Sequence, residues 1–178
     1  MDTSFPQTRY QGSKRKLIDF LYLYFKEIEF ESALDAFGGT GVVSYLLKQM
    51  GKDVIYNDLL MSNWYIGKAL IENNSINFDL ENIHSLFEKK AYLKYQTVIQ
   101  DNFEGIYYLN EENKTLDILV QNIFQLENQY EKSLCLYALF QACIQKRPFN
   151  LFHRKNLNLR LNNVSRSFGN KKTWDTPF

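Results

Sequence analysis

The sequence is poor in the residues that build metal centres and disulfide frameworks. Its 178 residues include two cysteines, two histidines and three prolines. Cys135 and Cys143 stand eight apart in an apolar stretch with no Cys-x-x-Cys pair, which argues against zinc and against a disulfide scaffold and points to reduced thiols. No run of about 20 apolar residues occurs, and the start has no charged region leading into an apolar one. The expectation is a cytoplasmic chain with no membrane partner. Net charge is also small: the value is +1, so attraction to a polyanion has to come from local clustering. The prolines, Pro6, Pro148 and Pro177, are isolated, and no Pro-Pro step exists.

What is present is apolar and aromatic. With 45% hydrophobic and 16% aromatic residues, a chain of this length buries one good core and is expected to form one globular unit. Three segments are expected within it: an α/β core over 1–76, a helical segment over 77–145 and a basic extension over 146–178.

The most informative stretch is 32–58. A short apolar run (Ala33, Leu34, Ala36, Phe37) leads into Gly38-Gly39-Thr40-Gly41. An apolar-periodic segment follows (Val42, Val43, Tyr45, Leu46, Leu47, Met50), then a second apolar run (Val54, Ile55, Tyr56) that ends in Asn57-Asp58. This pattern predicts strand, glycine turn, helix, strand. Glycines let a backbone turn sharply and approach a ligand, and the helix start behind them presents free N–H groups. Asp58 lies 17 residues beyond Gly41, close to the roughly 20-residue spacing that places an acid on a ribose. A glycine turn without a ligand, and Asp58 as a helix cap, remain open alternatives. The pattern is not G-x-G-x-x-G, because Val43 and Ser44 follow.

Elsewhere the reading is mostly helical. Ser13 caps a predicted helix over 14–28 with apolar Leu17, Ile18, Leu21, Tyr24, Phe25 and Ile28. Arg9, Lys14, Arg15 and Lys16 crowd its start, where the helix dipole disfavours cations. A further helix is predicted over 59–72, broken by Asn73-Asn74-Ser75. The segment 102–114, with Gly105, reads as a loop or short strand, and Tyr107 and Tyr108 as packing residues rather than base-stacking ones. His84 reads as a surface helix residue. Residues 133–144 are apolar nearly all round and are expected to be buried.

From residue 146 the composition changes. Lys146, Arg147, Arg154, Lys155, Arg160, Arg166, Lys171 and Lys172 fall within 27 residues that hold no acid, interleaved with asparagines and aromatics. This spacing suits phosphate contacts and predicts a DNA-facing surface; a solvated charged face is the alternative.

Asp35-Ala36-Phe37-Gly38-Gly39-Thr40-Gly41 resembles the D-P-F-x-G-x-G motif of amino-methyltransferases, with Ala36 in place of proline. Arg9-Tyr10-Gln11-Gly12-Ser13-Lys14 resembles the (R/K)-(Y/W)-x-G-(G/S)-K signature of Dam-like (D12 class) adenine-specific DNA methyltransferases. The resemblance implies a Rossmann-like α/β methyltransferase domain with an incomplete sheet, S-adenosyl-L-methionine (AdoMet) as cofactor and double-stranded DNA as partner. It further implies that Gly38, Gly39, Thr40 and Gly41 cradle the cofactor, that Asp35 and Phe37 line its methionine and adenosine parts, and that Asp58 holds the ribose. By the same resemblance Tyr10, Gly12 and Lys14 approach the methionyl end, and Lys14 also bridges to DNA.

One element of that family is missing. In the family it resembles, holding an adenine N6 in line with a methyl donor, with an aromatic on the flipped base, falls to a (D/N/S)-P-P-(Y/F/W) motif after an apolar strand. Without a Pro-Pro step the motif is absent in its standard form. Asp175-Thr176-Pro177-Phe178 has the acid, one proline and the aromatic, but 170–174 before it is no apolar strand. The expectation is an AdoMet-binding subunit or N-terminal half that borrows its catalytic part from a second chain. A truncated remnant, or a non-catalytic DNA-binding or regulatory subunit, is the alternative.

Overall fold

The computed structural model describes residues 12–146, 157–161 and 177–178. The chain divides into two compact units, Met1–Asn77 with Asn128–Tyr137, and Phe78–Glu127 with Ala138–Phe178.

In the first unit the Ser13 hydroxyl accepts from the Arg15 amide at 3.4 Å, as a capping serine should. The predicted helix over 14–28 is shorter and tighter than its periodicity suggests. It opens as a 3-10 turn, Lys14–Leu17, and becomes α-helical only over α1 (Ile18–Phe25). The amides of Glu27 and Ile28 then bond to the carbonyls of Tyr24 and Phe25, a tightened end that halts the helix. No residue of α1 is buried.

The predicted strand–turn–helix–strand is present. Strand β1 (Ser32–Asp35) runs through the glycine turn into α2 (Val42–Gln49), and β2 (Asp53–Tyr56) pairs parallel to β1, Ser32 opposite Asp53 and Asp35 opposite Tyr56. Gly51, at φ 75°, ends α2 in the left-handed region where glycine is the favoured residue. Helix α2 buries Val42, Leu46 and Leu47, and the Ser44 hydroxyl donates to the Asp35 carboxylate at 2.5 Å, which marks the side of the sheet it covers. Because side chains alternate along a strand, Leu34 and Ile55 point the other way. These register neighbours are 64% and 63% exposed.

Helix α3 (Met61–Gly67) continues as a π-helical turn, Lys68–Glu72. It ends at the predicted Asn73-Asn74-Ser75 break, where the Asn73 side chain accepts from the amides of Ser75 and Ile76. The Lys48 ammonium closes this end by donating to the carbonyls of Leu70 and Asn73, and burial lowers its pKa. Ile66, Ala69 and Tyr137, with Leu70 and Leu134, form the core here.

The described part of the second unit is helical: α4 (Leu80–Leu86), α5 (Val98–Phe103), α6 (Asn110–Phe124), the later part of α7 (Gln129–Gln145) and α8 (Leu157–Leu161). Helix α6 buries Leu116, Leu119 and Ile123, and its buried Asp117 accepts from the amides of Ile99 and Gln100 at the start of α5. The segment 102–114 is not a strand: α5 reaches Phe103, Gly105 turns the chain at φ 67°, and α6 begins at Asn110. Tyr108 is buried and donates to the Cys143 carbonyl, a packing role. His84 is exposed on α4. As expected of an apolar helix, α7 buries Ser133, Cys135, Leu136, Tyr137 and Leu139, though Ala138 is exposed. Neither cysteine is in a disulfide, and burial, with the Glu131 carboxylate, pushes the Cys135 thiol up to about 11, so it stays protonated. Among the described residues no helix is long and apolar enough to cross a membrane.

Candidate cofactor-binding site

The entry to the glycine turn is held by Asn57, the residue that follows β2. Gly38 N donates to the Asn57 carbonyl, Asn57 N to the Asp35 carbonyl, and the Asn57 side-chain amide to the Ala36 carbonyl. Within the turn Gly41 N donates to the Gly38 carbonyl, with Gly39 at φ 55° and Gly41 at φ 77°. An L side chain at either position would be strained.

Tyr56 sets the turn's position. A Cβ on Gly38 would lie 2.0 Å from its Cε2, and one on Gly67 would lie 2.4 Å from its Cδ1. The ring therefore fills a slot between two glycines, one against each edge, and its hydroxyl donates to the Gly39 carbonyl at 2.6 Å. Sequence reasoning did not single out Tyr56 or Gly67. A glycine inside an apolar helical stretch was the available signal, because it costs about 1 kcal/mol against alanine unless close packing requires it.

Asp58, at the tip of β2, faces this turn. One carboxylate oxygen accepts from Gly39 N at 2.8 Å and the other from Leu60 N at 2.9 Å. Burial works to raise its pKa, but the amides of Leu60 and Gly39, the Asn63 side chain and the Leu59 amide together carry it below the ordinary 3.8. The carboxylate is thus charged at neutral pH, and it also satisfies an amide at the next helix start, so the capping alternative and the ribose role are compatible.

The turn does not present a row of free N–H groups: the amides of Gly38, Gly39 and Gly41 are all bonded internally. Phe37, 89% exposed, stands beside the turn; Thr40 is buried; Asp35 is engaged with Ser44. Lys14 is exposed in the 3-10 turn, and Gly12, at φ 86°, has open space where a Cβ would be. Tyr10 lies outside the described residues.

The basic segment divides. Lys146 and Arg160 belong to a buried cluster on Glu112 of α6. Lys146 Nζ reaches Oε1 at 2.8 Å, and the Arg160 guanidinium is bidentate at 2.6 and 2.9 Å. Both cations are 4% exposed, so this geometry spends them on a carboxylate rather than on a phosphate. Burial opposes the ionised Glu112, but Arg160, Lys146 and the Leu109 amide lower its pKa to about 2. Phe178 packs against Tyr108 and lies under the Lys146 ammonium, a core contact rather than the aromatic of a catalytic loop; Pro177 is exposed. Arg147, Arg154, Lys155, Arg166, Lys171, Lys172 and Asp175 lie outside the described residues.

A glycine turn between a strand and a helix, faced by a carboxylate at the tip of the neighbouring parallel strand, is an arrangement that α/β proteins use for ribose-bearing ligands. The D12 class N6 adenine-specific DNA methyltransferase family matches residues 10–173, and the chain belongs to that family. It is 27% identical over 148 residues to the type II methyltransferase M2.HphI of Haemophilus parahaemolyticus, a match covering 83% of this chain and 43% of that protein. It is 33% identical over 98 residues to an uncharacterized protein of Buchnera aphidicola, covering 55% of this chain and 75% of that one. The chain thus spans under half the length of the Haemophilus relative. No solved structure matches it.

Proposed function

We propose that the chain is the AdoMet-binding part of a site-specific adenine-N6 DNA methyltransferase of restriction-modification type, with a Rossmann-like sheet completed, and an acid-Pro-Pro-aromatic motif supplied, by a second polypeptide. The observation that carries the cofactor reading is the ionised Asp58 carboxylate set against Gly39 of the turn, at the end of a parallel strand pair. The residues fit the group: three glycines leave the buried Thr40 as the one side chain of the turn, and an acid stands where ribose hydroxyls need an acceptor.

Bound there, AdoMet supplies an activated methyl group. The chain's own contribution is to hold it: Gly38, Gly39, Thr40 and Gly41 border it, Asp58 accepts from the ribose, and Phe37 offers an apolar face. Asp35, held by Ser44, fixes the start of the turn, while Tyr10, Gly12 and Lys14 take the methionyl end. Arg147, Arg154, Lys155, Arg166, Lys171 and Lys172, with Lys14, serve the DNA backbone.

The uncovered sheet face supports the second polypeptide. Parallel sheets are ordinarily covered on both faces, whereas Leu34 and Ile55 are open here and α1 exposes Phe20, Leu23 and Tyr24.

Calorimetry with AdoMet tests the reading. The full chain, alone or with its partner, binds AdoMet, and Asp58→Ala loses that binding while keeping its DNA affinity. Absence of AdoMet binding in both states refutes the cofactor assignment. A non-catalytic DNA-binding subunit, in contrast, would be indifferent to Asp58→Ala.

A further inference from the structure

Of the backbone amides in the glycine turn, Gly38 N donates to the Asn57 carbonyl, Gly39 N to the Asp58 carboxylate and Gly41 N to the Gly38 carbonyl. The remaining one, Thr40 N, has no acceptor among the described residues, although Thr40 is 4% exposed. Buried backbone amides without an acceptor are rare, and each calls for an explanation. The direction of this one is set from the other side of its own peptide. The Gly39 carbonyl accepts from the Tyr56 hydroxyl at 2.6 Å, and the peptide is trans. In a planar trans peptide the N–H and the C=O point opposite ways, so the Thr40 N–H is aimed away from Tyr56.

The backbone itself does little to fix that direction. Gly39, at φ 55°, has no Cβ to restrain its ψ, and Asp58 holds the peptide before Gly39 rather than the one after it. Tyr56 can fix it, because its ring is itself confined between Gly38 and Gly67. We propose that Tyr56 is a positioning residue for the cofactor: its hydroxyl holds the Gly39 carbonyl on the strand side, which keeps the Thr40 amide turned to the opposite side, where it donates to an oxygen of bound AdoMet. Tyr56 acts through one peptide plane rather than by contact, and Gly67 acts through Tyr56. This rests on the AdoMet reading and assigns to it two residues, Tyr56 and Gly67, that lie outside the motifs.

The test measures AdoMet affinity by calorimetry and hydrogen exchange of the Thr40 amide by NMR, on the full chain and well below its melting temperature. Tyr56→Phe removes only the hydroxyl. Tyr130→Phe is the control: it removes a hydroxyl that donates to Glu72 at 3.0 Å in the same unit. A merely structural Tyr56 would change stability and leave the affinity of the folded protein untouched. The expected result is an AdoMet affinity lowered about tenfold in Tyr56→Phe and unchanged in Tyr130→Phe. In the wild type, saturating AdoMet is expected to slow exchange of the Thr40 amide by about tenfold or more. Wild-type affinity in Tyr56→Phe overturns the proposal, and so does an equal loss in Tyr130→Phe. Exchange at Thr40 that ignores AdoMet overturns it without any variant. If the wild type shows no AdoMet binding, the cofactor reading falls and takes this inference with it.

Discussion

The Tyr56 hydroxyl donates to the Gly39 carbonyl at 2.6 Å, so the last residue of β2 is tied to the turn that follows β1. Because Gly38 and Gly67 lie against the two edges of the same ring, changes at these glycines act through Tyr56.

Gly67→Ala inverts the usual helix rule. Alanine in a helix interior normally gains about 1 kcal/mol over glycine, but here a Cβ would meet the Tyr56 ring at 2.4 Å. Gly67→Ala and Gly38→Ala are each expected to lose about 1–3 kcal/mol by overpacking, measured by urea unfolding. Tyr56→Phe, which removes only the hydroxyl, is expected to lose about 1 kcal/mol. A stabilised Gly67→Ala would contradict the slot.

Glu112 makes the second unit acid-sensitive. Its folded pKa, about 2, lies below the ordinary 4.5, so its ionised form stabilises the fold at pH above about 4.5. That contribution, of the order of 3 kcal/mol, is lost as pH falls from there towards 2. Glu112→Gln leaves Lys146 and Arg160 buried beside a neutral amide and is expected to cost about 3–5 kcal/mol at pH 7. Unfolding curves of wild type and variant between pH 7 and pH 2 are expected to converge; a constant gap would contradict the cluster.

Asp58 obeys the same sign with a smaller effect. Its lowered pKa means that its charge stabilises the loop above the ordinary 3.8 and is lost only below it. AdoMet affinity is therefore expected to be flat from pH 8 to pH 5 with respect to this group, measured by calorimetry. A loss centred near pH 6 would point to a different acceptor.

The Leu34–Ile55 face is expected to tolerate polarity when the chain is alone. Since both side chains are about two-thirds exposed, the double change Leu34→Thr, Ile55→Thr is expected to shift stability by no more than about 0.5 kcal/mol. It is expected to reduce self-association in light scattering and to weaken binding to the polypeptide proposed to cover that face. A collapse in stability would show that the face is already covered in solution.

The strand–turn–helix–strand was legible because its signals are local: the period of apolar residues switches on either side of four residues that include three glycines, and Asn73 breaks the helix that follows. The Ser13 cap and the burial of α7 were legible for the same reason. What was not legible depends on partners distant in sequence. The Tyr56 slot joins residues 38, 56 and 67, and no periodicity connects them. The basic segment shows no acid within its own 27 residues, yet Lys146 and Arg160 find one in Glu112, 34 and 48 positions upstream. The unbonded Thr40 amide was invisible because nothing in a sequence distinguishes an orphaned amide from a bonded one.

The carboxylate on α6 also limits how the chain responds to ionic strength. Of the eight cations between residues 146 and 172, two are drawn inside the protein onto one carboxylate, so the proposed DNA contact has at most six to draw on. A titration of DNA affinity against salt should then show this segment adding a logarithmic slope no steeper than about −5, rather than the roughly −7 that a count of its lysines and arginines would suggest.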